Sequence, residues 1–272
     1  MTTSCLKWHG GKHYLATRLI KLMPPHIHYV EPYFGSGAVL FRKEYDGISE
    51  VINDLNGDLI NFWQVLADDI YFEFFRRKCE ATPFCELVFN EIKEVDQLML
   101  TPVGRAWCFF IRYRQSRQGL GKDFATITRN RTRRGMNEQV SSWLSAIEGL
   151  PEVHERLKRV LILNRDALDV IKSQDGPNTL FYLDPPYLQE TRIAIKAYGQ
   201  YEMDVDDHIN LLNIIGGIKG KFLLSGYHSP LYDSWASDNG FECLEIEIPN
   251  HSSGSKVKRT MTECVWKNFY DT

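Results

Sequence analysis

The sequence predicts an α/β chain interrupted by a mainly helical insertion. Three observations carry this. Short β-prone runs at 27–31, 48–52, 160–163 and 179–183 each end in a polar or Gly/Pro cluster. Helical apolar spacing returns after these runs, as in strand–helix–strand units. Between about residues 67 and 154 the pattern is helical, with no alternating strand signal.

Taken in order, Leu15, Leu19, Leu22 and Met23 fall on one helix face, and Pro24-Pro25 stops it. Before that helix lies Lys7-Trp8-His9-Gly10-Gly11-Lys12. Its Gly pair lets backbone approach a ligand, and Lys12 would carry charge there. A plain loop before a helix fits the motif equally well. The run 27–31 leads into Glu31-Pro32-Tyr33-Phe34-Gly35-Ser36-Gly37, with residues 38–45 read as a helix. This is the geometry of a nucleotide-binding first βα turn. The full GxGxxG fingerprint is absent, and no Lys-Ser/Thr follows the glycines. A phosphate cradle is therefore disfavoured, and an adenosine-containing ligand without phosphates fits better.

The run 48–52 ends in Asn53-Asp54-Leu55-Asn56. An acid at the end of the second strand, about 20 residues past the glycines, is where ribose hydroxyls are read. The competing reading of Asp54 is an N-cap for the next helix; spacing and order favour ribose. Leu59, Phe62 and Leu66 give that helix its apolar side.

Within the insertion, positive charge concentrates at Arg105, Arg112, Arg114, Arg117, Lys122, Arg129, Arg131, Arg133 and Arg134. Asp123 is the sole acid in that stretch, so i±4 partners are largely missing. Trp107, Phe109, Phe110, Tyr113 and Phe124 are interleaved, with Gln115, Ser116, Gln118, Asn130 and Asn137 adding polar groups. Arg contacts phosphates and reads guanine edges, and Asn or Gln reads adenine. A nucleic-acid surface is favoured over a solvated helix face.

After Pro151 the α/β pattern returns. The strand at 160–163 runs into Asn164-Arg165-Asp166, where a polar side chain either bonds an adenine ring or caps a helix. The run 179–183 ends in Asp184-Pro185-Pro186-Tyr187. The prolines lack N–H donors and fix φ, so the strand stops there. A carboxylate, two carbonyls and a phenol are thus held at the carboxyl end of a strand, where open α/β sheets bind ligands. A helix at 209–218, a strand at 221–225, a short helix at 234–239 and paired strands at 243–249 and 261–268 complete the chain. The loop between the last two is polar and basic. Its Lys256 and Lys258 are candidates for a phosphate backbone, and a mobile hairpin tip fits as well.

Net charge is −3 over 272 residues, so nucleic-acid binding has to come from a local patch. The six cysteines form no CxxC pair and have no partnering His spacing, which predicts neither a zinc site nor a disulfide framework. No apolar run approaches the ~20 residues of a membrane span. With no hydrophobic signal core at the start, a cytoplasmic location and no membrane partner are expected. The histidines are scattered and form no HxxxH.

Four blocks in this order, Trp8-His9-Gly10-Gly11-Lys12, Glu31 to Gly37, Asn53-Asp54 and Asp184-Pro185-Pro186-Tyr187, resemble the Dam-type (D12 class) DNA adenine-N6 methyltransferases. Phe222 to Ser225 and Arg259 to Trp266 are also similar to that family. The resemblance implies a Rossmann-like, seven-stranded, mostly parallel sheet with one antiparallel strand. It implies a catalytic domain at 1–66 and 157–272, with a helical target-recognition insertion at 67–156. It implies S-adenosylmethionine as cofactor and double-stranded DNA as partner; the absence of a metal is expected from the cysteine and histidine spacing above.

By position, the family pattern gives cofactor roles to Trp8, Lys12, Phe34, Gly35, Gly37 and Asp54 and sets Asp184 between the cofactor and the target base; Glu31, Ser36, Leu55 and Asp166 are further cofactor candidates. It gives catalysis to Asp184, Pro185, Pro186 and Tyr187. DNA contact is expected from Arg112, Arg114, Arg117, Lys122, Arg129, Arg131, Arg133 and Arg134, with Lys256 and Lys258. A monomer or weak dimer is expected, and a companion restriction endonuclease is an open option. The alternatives are the same chemistry on cytosine N4, RNA or a protein amide, and a DNA-binding relative without catalysis.

Overall fold

The computed structural model describes residues 2–8, 10–96, 99–125, 129–192, 199–249 and 260–270. In chain order the first elements are α1 (Ala16–Lys21), β1 (His28–Glu31), β2 (Ser49–Asn53), α2 (Gly57–Ala67), α3 (Asp69–Glu80), α4 (Glu86–Glu94) and α5 (Pro102–Arg114). Then come β3 (Thr132–Arg133), β4 (Met136–Asn137), α6 (Glu138–Glu148), α7 (Leu150–Leu157) and β5 (Val160–Leu163). The chain continues with α8 (Ala167–Gln174), β6 (Thr179–Leu183), α9 (Val205–Ile215), β7 (Lys221–Gly226), α10 (Pro230–Asn239), β8 (Glu242–Pro249) and β9 (Thr260–Lys267). No helix among the described residues is long and apolar enough to cross a membrane.

Seven strands form one sheet in the order β5-β2-β1-β6-β7-β9-β8. β1 pairs in parallel with β2 and β6, and β6 in parallel with β7. β9 runs antiparallel to both β7 and β8. This is the Rossmann-like, mostly parallel α/β sheet the sequence predicts. All five residues of β6 are buried, which is why Thr179-Leu180-Phe181-Tyr182-Leu183 reads as a near-continuous apolar run.

The chain divides into two compact units. One comprises Met1–Lys21, Gly35–Glu44 and Asn56–Asn164. Its core is aromatic: Phe62 on α2 lies 5.7 Å from Phe110 of α5 in a stacked pair, and 5.8 Å from Phe75 of α3. The other comprises Leu22–Phe34, Tyr45–Leu55 and Arg165–Thr272. It carries β1, β2 and β6 to β9, with α8, α9 and α10.

Three local readings are corrected. Residues 38–45 form a run of turns rather than a helix. Val39, Leu40 and Phe41 are all buried in succession. Mixed bonds close these turns, Phe41 N to the Gly37 carbonyl at 3.1 Å and Arg42 N to the Val39 carbonyl at 3.0 Å, in place of a continuous helical ladder. The insertion also holds a strand pair. β3 and β4 pair antiparallel through Thr132↔Asn137 and Arg133↔Met136. Arg134 (φ 57°) and Gly135 (φ 74°) supply the two positive φ angles of a type I′ hairpin turn. Two-residue strands leave no alternation to detect. The helix read at 209–218 starts earlier, because Asp204 and Asp207 form a reciprocal capping box ahead of Val205.

Candidate active site

In the unit built on β6, one buried amide holds the strand ends together. Asn53 closes β2 and is fully buried. Its Nδ2 donates to the carbonyls of Pro32 and Arg165 at 3.0 Å each. Its Oδ1 accepts from the Arg165 amide at 2.9 Å. The segments leaving β1, β2 and β5 are thereby bound to one side chain. This fixes where Asp54 and Asp166 begin. The N-cap of α2 is Asn56, whose Oδ1 accepts from Asp58 and Leu59 amides at 3.1 Å. The capping alternative for Asp54 is thereby filled by another residue. Asp166 does cap α8, accepting from the Leu168 amide at 2.8 Å. Glu31 is buried and accepts from the Tyr29 hydroxyl at 2.7 Å. Phe34 is buried, and Leu55 is exposed.

β6 delivers Asp184, half-buried, directly after its last buried residue. Tyr187 follows the two prolines. Its phenol donates to Glu263 of β9, which is 3 % exposed. Tyr227, just beyond β7, meets the Tyr187 ring edge-on with centroids 4.9 Å apart. Burial, then the neighbouring Asp184 and Glu263 charges, push the Tyr187 phenol well above its ordinary pKa, so it stays a protonated donor. Tyr182 of β6 bonds Ser225 of β7 at 3.2 Å beneath this surface.

In the other unit the glycine turn sits against tryptophans. Gly35 adopts φ +51°, and a Cβ there would lie 3.1 Å from Trp8 Nε1. Its carbonyl accepts from Trp63 Nε1 of α2 at 3.1 Å. Trp8 in turn packs on Tyr113 and Phe109 of α5, at 4.8 and 6.0 Å between centroids. A Cβ on Gly11 would come 3.2 Å from Ser36 Oγ. Gly37 also has positive φ, at +67°. Lys12 is buried, with Nζ donating to the Gly10 carbonyl at 3.2 Å.

The basic residues of the insertion divide by environment. Arg117, Lys122, Arg129, Arg131 and Arg133 are exposed, and Arg112 is half-buried. Arg131 has a long contact with Glu138 at 3.8 Å. Arg134 is exposed but grips Glu148 with two bonds of 2.8 Å. Arg114 points inward, donating to the Ser142 carbonyl at 2.6 Å, and desolvation lowers its pKa to about 10. Gln115 and Ser116 are fully buried rather than available for base reading. Gln115 donates to the Pro83 carbonyl and accepts from the Cys85 amide. Phe109 and Phe110 are core residues for the same reason of direction. Lys256, Lys258 and His9 lie outside the described residues.

Residues 8–248 match the family model for D12 class N6 adenine-specific DNA methyltransferases. The chain belongs to this family. A Type II methyltransferase of Lactococcus lactis subsp. cremoris is 26% identical over 289 residues, covering 97% of this chain and 94% of that protein. A Type II methyltransferase of Methanocaldococcus jannaschii is 25% identical, covering 76% of each chain. The DNA adenine methylase of Escherichia coli K12 is 22% identical, covering 93% of this chain and 91% of its own length.

For a D12 methyltransferase the reaction is methyl transfer to N6 of adenine in DNA, which requires a methyl donor. Three residues of this methyltransferase escaped the sequence reading of the site. Glu263 lies far from Tyr187 in sequence and is joined to it through the sheet order. Tyr113 reads as one of the aromatics of the basic stretch and Trp63 carries no motif, and nothing in their spacing marks them as supports of the glycine turn. Asn53 was part of a motif, but its three bonds depend on strand order.

Proposed function

We propose that the chain methylates adenine N6 in double-stranded DNA with S-adenosylmethionine as donor, on a base flipped out of the helix. The observation that carries this is the placement of Asp184 at the end of a fully buried central strand, three residues from a tyrosine ring locked by Glu263 and Tyr227. When bound, S-adenosylmethionine supplies a methyl group already activated by its sulfonium.

The residues fit such a donor. The turn at Gly35 offers bare backbone against a flat indole, with no phosphate-gripping Lys-Ser/Thr after it. Trp8, Lys12, Phe34, Gly35, Ser36, Gly37, Asp54, Leu55 and Asp184 would serve the donor, with Asp54 taking ribose hydroxyls. Glu31 and Asp166 act as supports, through Tyr29 and the α8 cap.

Tyr187 stacks on the extruded adenine, which pays part of the cost of unstacking. The Asp184 carboxylate and the Pro185 carbonyl accept the two N6 hydrogens. That draws the amino nitrogen toward tetrahedral geometry and clears its lone pair for attack. The carboxylate also favours the positive charge that grows on N6. Pro185 and Pro186 hold these acceptors in one orientation, because neither peptide has a soft φ. No side-chain nucleophile is required.

Residues 67–156 form the target-recognition part, and its DNA contacts are the exposed Arg117, Lys122, Arg129, Arg131 and Arg133 with the half-buried Arg112. Arg134 would exchange Glu148 for a phosphate, and Arg114 holds α5 to α6. The Type II relatives make a companion restriction endonuclease a natural partner. The test is expression in a methylation-free host, digestion of the DNA to nucleosides and genome-wide mapping of modified bases. N6-methyladenine at one short sequence is expected; unmodified DNA overturns the proposal.

A further inference from the structure

Cys243 and Cys264 are 21 positions apart in sequence, and no spacing rule joins them. The β8–β9 register does. Cys243 lies opposite Trp266 and Glu245 opposite Cys264, so Cys243, Glu245 and Cys264 share one face of the hairpin. His228, in the segment between β7 and α10, comes down on that face. Its donor nitrogen and the two sulfurs all lie within 4.8 Å of one another. His228 Nε2 is 3.3 Å from Glu245 Oε1, and Nδ1 is 2.9 Å from Asp233 Oδ1 on α10.

We propose that His228, Cys243, Cys264 and Glu245 bind a zinc ion, with Asp233 orienting the imidazole. Two sulfurs, one imidazole nitrogen and one carboxylate oxygen are a zinc donor set. With Zn–N and Zn–O bonds of roughly 2.0–2.2 Å, the N···O edge of a tetrahedral site is about 3.4 Å, close to the separation of Nε2 and Oε1. The sulfur edges of such a site are about 3.6–3.8 Å. The His228 and cysteine donors therefore have to contract by roughly 1 Å, and Glu245, whose carboxylate lies outside that cluster, has to swing onto the ion; side-chain torsions supply both movements. The Asp233–His228 bond is the carboxylate–histidine arrangement that fixes which nitrogen faces a metal.

Entry is open: His228 lines a groove of ≈ 570 Å³ with Tyr227, Ser229 and Thr262. Cys264 is fully buried and Cys243 half-buried, so the ion would sit on the hairpin surface with one side toward solvent. The site clamps the loop after β7 onto β8 and β9. Cys264 is the neighbour of Glu263, which holds Tyr187. The role is structural, stiffening the strand that positions the aromatic.

The test uses the full-length, reduced, metal-stripped protein titrated with Co²⁺ and then Zn²⁺. One equivalent of Co²⁺ should give tetrahedral d–d bands and a thiolate-to-cobalt charge-transfer band, both bleached by Zn²⁺. His228→Ala, at an exposed position, and Cys243→Ala should abolish the charge-transfer band. Asp233→Asn should weaken binding about 10–100-fold. Zinc should raise the Tm of the wild type and leave Cys243→Ala unmoved. No charge-transfer band in reduced wild type, or a band that survives Cys243→Ala, overturns the proposal.

Discussion

Asn53 treats the backbone of Arg165 as a strand partner: Oδ1 takes its N–H and Nδ2 gives to its C=O. With the further bond to Pro32, one buried amide replaces the ladder that three diverging strand ends no longer provide. Asn53→Ala leaves one amide hydrogen and two carbonyls unpartnered. It should destabilise by on the order of 3 kcal/mol, read as a lower urea midpoint at unchanged m. Asn53→Asp should be no better, because it turns a carboxylate oxygen toward two carbonyls.

Asp184→Asn keeps the shape of the side chain while removing its charge and presenting a donor where an acceptor is needed. Single-turnover methyl transfer should fall by at least ~10²-fold, the scale of losing one electrostatic contact to a transition state. DNA affinity, measured by fluorescence anisotropy, should stay within a few-fold. Near-normal turnover would remove Asp184 from the chemistry.

Tyr187 separates into a ring and a hydroxyl. Tyr187→Ala should weaken capture of the extruded base by roughly 1–3 kcal/mol. Tyr187→Phe retains the stacking face and loses only the bond to Glu263. Its effect should be confined to a few-fold rise in KM for DNA. With 2-aminopurine at the target, the Phe variant should still show base extrusion and the Ala variant should not.

Arg131 leads into β3 and Arg133 ends it, on one strand of an exposed hairpin, and Arg131 has a long 3.8 Å contact with Glu138. If both meet phosphates, the double Ala variant should reduce the slope of log K against log salt by about 1.8, two contacts at ~0.9 each. An unaltered slope would move the DNA surface away from the hairpin.

His208 on α9 is fully buried, its Nδ1 2.8 Å from the Tyr232 hydroxyl. Burial lowers its pKa from 6.5 to about 4. Between those values the unfolded chain holds a proton that the folded chain refuses, so acid favours unfolding. The stability held above pH 6.5 is lost as pH falls toward 4, by about 2 kcal/mol at pH 5. Urea titrations at pH 7.5 and pH 5 should show His208→Leu losing less stability than wild type over this interval.

Sequence pattern located the strands well because β1, β2, β6 and β7 are mostly buried apolar runs and each strand stops at a polar or Gly/Pro cluster. β5 and β6 carry the bounds read from their apolar runs. What escaped depends on pairing between distant segments. The Tyr187–Glu263 bond needs the sheet order, and the Cys243–Cys264 approach needs the register of β9. The turns after Gly37 were misread as a helix because Val39, Leu40 and Phe41 are helix-compatible residues one by one. Their shared burial is a tertiary fact. In the basic stretch, charge was legible and direction was not: Arg114 and Gln115 face inward, while Arg131 and Arg133 face out.

β9 joins a sheet whose other strands all precede it in the chain, and it enters between β7 and β8 rather than at the rim. Until residues 260–267 are available, β7 presents an unpaired edge and β8 has no neighbour. Nascent chains in that interval carry an open, apolar strand edge, the template on which chains associate side by side. Assembly of this half therefore finishes with a hairpin closing onto a ready-made parallel core. A chain cut at residue 259 should be recovered as aggregate rather than as a weak enzyme.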